Sequence, residues 1–203
     1  MFSILEVSKF TGLLATAVLS ANLLLGILIA TRYKKTAWWH RLPLFVKKIG
    51  LFTLHNITAY VGLALAVLHP VLLLFEEGHR YSIITIFFPI NAPAQPWINA
   101  LGTAALFLLL VVVITSIKKV RKSITFRRWK VVHLAAYAAA VLFLIHGLLI
   151  NTELKDQAVD LFDAERMVSF FSFIFLLVAA VFRIIFYQKE KRKRSVAIIK
   201  SNT

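Results

Sequence analysis

Four of the six histidines in this 203-residue chain stand inside long apolar runs, where an imidazole has no water to solvate it. His55 and His69 bound the stretch HNITAYVGLALAVLH, and His133 and His146 bound HLAAYAAAVLFLIH. Ionisable side chains are costly in hydrocarbon, so two on each of two runs mark a bound group that offsets the cost. Imidazole is a good axial ligand for haem iron. One histidine on each face leaves a low-spin centre suited to passing electrons rather than to binding oxygen. Along one helix the paired positions are about 20 Å apart, at about 1.5 Å per residue, which suits two stacked haems. His40 and His79 stand among charged loop residues, where a solvated histidine needs no special account.

The elements that must position these residues are membrane helices. Sixty per cent of the residues are apolar and the mean hydropathy is +0.79, beyond an ordinary soluble domain. Five stretches are long enough to cross a hydrocarbon core of about 30 Å: Phe10 to Ala30, Leu51 to Phe75, Ile98 to Ile117, Val131 to Ile150 and Met167 to Tyr187. The expected fold class is therefore all-α, an integral membrane bundle of five helices. A sixth apolar run, Ile83 to Ile90, is too short to span and reads as interfacial or re-entrant. Trp38, Trp39, Trp97 and Trp129 all fall near the proposed helix ends, where indole prefers to sit. The first run is too long, and its leading segment with Glu6 and Lys9 too neutral, for a cleaved signal peptide.

Charge orients the bundle. The formal net charge is +15, and most of the 24 Lys and Arg fall in the first loop, the third loop and the last helix end with its tail, a group that takes in Arg183. Acidic residues such as Glu76, Glu77, Asp156 and Asp160 fall in the alternate loops. The positive-inside rule then predicts an N-terminus outside and a C-terminus in the cytoplasm, which accounts for the basicity without nucleic acid. The organisation expected is an outer segment over 1–9, a helical domain over 10–187 and a basic cytoplasmic tail over 188–203. With this topology both histidine-bearing helices run outward. His55 and His133 share a depth near the cytoplasm, and His69 and His146 share a depth near the outer face.

Other residues limit the chemistry. No cysteine occurs, so disulfides, thiolate-held clusters, thioether-attached haem and a catalytic thiol are all excluded. No Gly-x-Gly occurs, and neither a flavin nor a nicotinamide site is visible. Gly62 stands midway between His55 and His69, as Ala139 and Ala140 do between His133 and His146, and small side chains there allow close approach of a flat macrocycle. Arg127, Arg128 and Lys130 precede His133 and could pair with haem propionates, although topology signalling explains them as well. Arg80 could serve the outer level in the same way. Tyr137 and Phe143 are aromatic candidates between the levels, with packing as the simpler role. KEKRKR, from Lys189 to Arg194, reads first as a polybasic segment at anionic lipid. One geometric tension remains. Fourteen steps return to within about 40° of the starting face, whereas the thirteen from His133 to His146 end about 140° away, which a rotamer change, tilt or a π-bulge would have to absorb.

The paired motifs HNITAYVGLALAVLH and HLAAYAAAVLFLIH, two spans apart, resemble the ferric reductase-like transmembrane domain family over roughly residues 10–187. The resemblance implies two b-type haems, with iron held by His55 and His133 at the inner site and by His69 and His146 at the outer site. It further implies electron transfer from a cytoplasmic flavoprotein or flavodoxin-type donor to ferric iron, oxygen or a periplasmic acceptor protein. With no flavin or nicotinamide segment in the sequence, the chain is most similar to stand-alone bacterial members in the inner membrane. The leading alternative is a haem-bearing anchor subunit of a respiratory complex that exchanges electrons with quinone, using Trp97 and the 83–96 segment as an outer pocket. Buried packing histidines and a histidine-lined transition-metal transporter are the non-haem alternatives.

Overall fold

The computed structural model describes residues 3–31, 37–41, 43–48, 50–77, 81–150 and 164–201. Among the described residues there is helix and no strand, so the fold is all-α. Helix α1 (Ile4–Ala30) starts six residues before the expected Phe10. A capping box explains the extension: the Glu6 N–H donates to Ser3 Oγ at 3.1 Å, and the Ser3 N–H donates to the Glu6 carboxylate at 2.7 Å. Two of the amide donors that a helix start leaves unpaired are thereby satisfied. Two short helices follow, α2 (Ala37–Arg41) and α3 (Leu44–Lys47), before α4 (Leu51–Leu72) returns across the bundle. Pro70, directly after His69, removes an amide donor near the end of α4, and the chain continues as a 3-10 turn over Leu73–Phe75.

The sixth apolar run forms α5 (Ile83–Phe87) and a 3-10 turn over Pro89–Asn91, neither long enough to cross a membrane. It leans on α6 (Pro96–Ser116), where Thr103 Oγ1 donates to the Ile86 carbonyl at 2.9 Å. A short α7 (Lys118–Ser123) leads to α8 (Phe126–Leu149), which begins five residues before the expected Val131. Thr125 Oγ1 caps it by accepting the Arg128 N–H. Helix α9 is continuous from Ala164 to Ser201, so its backbone stays helical through the basic segment after residue 187. Five helical stretches are long and apolar enough to span: Ile4–Ala30, Leu51–Phe75, Pro96–Ser116, Phe126–Leu149 and Met167–Lys189.

Small side chains recur in the buried interior beside larger ones such as Ile27 and Leu144. Ala15, Ala66, Ala105, Ala139, Ser8 and Thr16 are buried, while Phe10, Val131 and Phe171 face outward. That is the pattern for helices in lipid, where small residues allow backbones to approach and large apolar ones need no protein partner. The helices pair as α1 with α4 and α6 with α8, and α9 lies across α1 and α8. The histidine-bearing helices α4 and α8 are thus each backed by a different helix and stand apart from one another. The basic short helices α2, α3 and α7 gather at one end of the bundle, and α5 lies at the other.

Candidate functional site: two facing histidine pairs

The imidazoles of α4 and α8 meet across the gap between those helices. His55 and His133 form one pair toward the basic end, with ring centres 6.2 Å apart and planes at 76°. His69 and His146 form the second toward the α5 end, at 6.5 Å and 68°. A first-row metal takes an imidazole nitrogen at about 2.0 Å, and the ring centre lies about 1.2 Å further on. Two imidazoles on opposite sides of one metal are therefore centred about 6.4 Å apart. Both pairs have that separation. Among the described residues no group of three or more His, Cys, Asp and Glu converges, and two imidazoles face one another at each level. Two trans imidazoles suit an ion whose remaining ligands come from a macrocycle.

Each ring is also held from behind. His55 Nδ1 lies 3.1 Å from the Asn22 carbonyl, His69 Nδ1 2.8 Å from the Ser8 carbonyl, and His146 Nδ1 2.8 Å from the Ile98 carbonyl. A carbonyl only accepts, so in each case Nδ1 carries the proton and Nε2 is left with its lone pair free to bind a metal. On α1 the hold is reciprocal. Ser8 Oγ donates to the His69 carbonyl at 2.8 Å, and Asn22 Nδ2 donates to the His55 carbonyl.

A glycine stands four residues beyond each of these three carbonyls. In an α-helix the side chain of residue i+4 lies over carbonyl i, so a bare Cα there opens the carbonyl to a ring from another helix. A Cβ on Gly12 would come within 3.0 Å of His69 Nδ1 and one on Gly102 within 3.0 Å of His146 Cε1, while on Gly26 it would meet His55 Cε1 at 3.3 Å. Ser8 and Gly12 recur as Asn22 and Gly26 fourteen residues later, the same interval as His55 to His69. Antiparallel packing of α1 on α4 turns that repeat into two equivalent clamps. Sequence reasoning overlooked these glycines, although the matching interval was there to be found.

His133 is held differently. Its Nδ1 lies 3.3 Å from Ser116 Oγ, and Ser116 Oγ donates to the Val112 carbonyl at 2.7 Å. Trp129 stacks on the His133 ring at 4.8 Å and 20°, and its indole N–H reaches Ser116 Oγ at 3.4 Å. The Arg121 guanidinium lies 4.5 Å over the Trp129 ring. Helix α8 stays α-helical throughout, so the thirteen-residue interval is accommodated without a π-bulge.

The remaining expected residues fall elsewhere. Gly62 is buried against α1, where a Cβ would meet Leu19 Cδ2 at 2.5 Å, so its small size serves the α1–α4 contact rather than the gap toward α8. Arg127 is exposed in the first turn of α8, and Arg121 is the cation that reaches the His133 stack. Arg80 lies outside the described residues, as does His79. Arg183, grouped by sequence with the basic tail, is half-buried in the spanning part of α9; it donates to the Tyr137 hydroxyl and lies 5.1 Å over the Tyr137 ring. An arginine within the apolar run VFRIIFY was the available signal. One cavity contains His69, His146, Tyr81 and Asn99, and a second in mid-bundle contains Asn22, Ala139 and Ala140. Phe143 lines both.

No curated protein and no solved structure matches the chain. The family model described as ferric reductase like transmembrane component matches residues 11–144, which take in His55, His69 and His133 and end just short of His146. With that match over more than half its length, and with paired histidines on two of five spanning helices, the chain belongs to the ferric reductase-like transmembrane component family.

Proposed function

We propose that this domain carries electrons across the bilayer through two b-type haems, one held by His55 and His133 and the other by His69 and His146. The observation that carries the reading is the facing of four imidazoles in two pairs at 6.2 and 6.5 Å, a separation that would let each pair hold one haem iron between its rings. Bound haem supplies a one-electron ferric/ferrous couple at each level. The chain's own residues orient and insulate. Asn22, Ser8 and Ile98 fix the Nδ1–H tautomer of their rings, so that each presents Nε2. Phe143 fills space between the two levels with apolar bulk. Arg183, near the His133 level through Tyr137, offers positive charge to a haem carboxylate.

The charge asymmetry supports a basic end in the cytoplasm and an N-terminus outside, and the resemblance to stand-alone bacterial members implies the inner membrane as the site. His55 and His133 then form the entry level, facing a cytoplasmic flavoprotein or flavodoxin-type donor drawn to the basic surface. His69 and His146 form the exit level, serving ferric iron, oxygen or a periplasmic reductase. A second reading, a respiratory anchor exchanging electrons with quinone, draws on Tyr81 and Asn99, which line the cavity beside His69 and His146. Fast reduction by quinol in place of a flavin donor would favour it.

The test is spectroscopic. Purified protein should hold two low-spin b-type haems. His69→Ala and His146→Ala should abolish one spectral component, and His55→Ala and His133→Ala the other. One haem per chain in the wild type, or His69→Ala and His55→Ala removing the same component, would overturn the assignment.

A further inference from the structure

The four ligand rings are not held alike. On α6, Ile98 and Gly102 recur fourteen residues later as Val112 and Ser116, so the position that would be the fourth glycine carries a hydroxyl instead. The histidine interval on α8 gives the reason. Antiparallel helices in register from Gly102 and His146 would set position 116 opposite residue 132, and the histidine stands at 133. One residue along a helix is about 100° of rotation and about 1.5 Å of rise, so the His133 ring falls out of line with the Val112 carbonyl that an unmodified repeat would offer it.

Ser116 closes that gap with every hydrogen-bonding site it has. A hydroxyl has one proton to give and two lone pairs. The proton goes to the Val112 carbonyl at 2.7 Å; the lone pairs face His133 Nδ1 at 3.3 Å and the Trp129 indole N–H at 3.4 Å. Since the Ser116 proton is committed to Val112, the hydroxyl must accept from the imidazole. His133 therefore carries its proton on Nδ1 and leaves Nε2 bare, the tautomer that direct carbonyl bonds impose on the other three rings. Stacking on Trp129 at 4.8 Å limits rotation of the same ring.

We propose that Ser116 is the positioning residue of the His133 ligand, a hydroxyl relay to the Val112 carbonyl that replaces the glycine-and-carbonyl seat of the other three histidines. This rests on the haem reading above. Its consequence is local to one haem, because a hydrogen bond accepted from Nδ1–H makes the imidazole a stronger donor and favours ferric over ferrous iron. The Ser116 bond is longer than the carbonyl bonds to His55, His69 and His146.

The experiment is a redox titration of both haems in purified protein, with low-temperature electron paramagnetic resonance of each ferric centre. Ser116→Ala should weaken ferric preference at the His55–His133 haem by about tenfold, a rise of about 59 mV for a one-electron couple. The His69–His146 haem should keep its potential and g values. Ser116→Thr, which keeps the hydroxyl, should behave as wild type. Ser116→Gly should shift the same haem as Ser116→Ala does, since the ring is out of line with the bared carbonyl, and it provides an independent reading should the alanine variant not fold. Wild-type values for the His55–His133 haem in either variant lacking the hydroxyl would overturn the relay while leaving the two-haem function intact. A wild type without two bis-histidine haems would instead overturn the function.

Discussion

Alanine at Gly12 separates ligand positioning from stability. The added Cβ would lie 3.0 Å from Nδ1 and 3.1 Å from Cε1 of His69. Ordinary contact is about 3.5 Å, so the ring must retreat by about 0.5 Å. Its Nδ1–H bond to the Ser8 carbonyl is 2.8 Å long, and retreat stretches it to the edge of hydrogen-bonding range. Weakening one such bond costs about 1 kcal/mol, while alanine in place of glycine within a helix returns about 1 kcal/mol. The two nearly cancel, so the melting temperature should hardly move. The ligand geometry should change, because nothing offsets the displacement of the ring. Redox titration and paramagnetic resonance of Gly12→Ala should show an altered His69–His146 haem, with a potential rise approaching 59 mV for a tenfold loss of ferric preference. Gly26→Ala places its Cβ 3.3 Å from His55 Cε1 and 3.7 Å from Nδ1, so its effect should be smaller and confined to the other haem. An unaltered His69–His146 haem in Gly12→Ala, or a larger perturbation in Gly26→Ala, would refute the reasoning.

Arg183→Leu removes a positive charge near the His133 level, which stabilises ferric iron; the His55–His133 haem should drop in potential by tens of millivolts, while Arg183→Lys should drop it less. Equal potentials in all three proteins would place Arg183 outside the field of that haem. For topology, reporter fusions at Glu77 and Thr203 should label opposite sides of the membrane, and labelling on one side would contradict an odd number of spans.

The histidine pairing was legible before any fold because an α-helix has a fixed rise: intervals of fourteen and thirteen residues on two helices that run the same way place the rings at two common depths. The spans were legible for a similar reason, since length and hydropathy depend on the segment alone. Their starts were less so. Ser3 with Glu6 and Thr125 with the Arg128 amide extend α1 and α8 through polar residues that a hydropathy reading leaves out. Arg183 was counted with the tail because charge counting knows depth and not face. Gly62 was assigned to the gap when its neighbour is Leu19. Arg127 and Arg121 lie in the same basic segment, and only packing sets Arg121 over Trp129.

By itself the sequence determined an all-α membrane protein, its five spans, the absence of thiol chemistry and four intramembrane histidines in two matched intervals, all properties carried by composition and by the period of a single helix. Tertiary structure alone decided what stands behind each ring. The Ser8–Gly12 and Asn22–Gly26 repeat acquires meaning only when α1 is laid antiparallel on α4 in one register, and the thirteen-residue interval on α8 becomes a serine relay only when α6 is placed beside it. Register between helices is a property of two surfaces packed together. A carbonyl becomes accessible to an imidazole when the side chain one turn beyond it is absent and a neighbouring helix brings the ring to that depth.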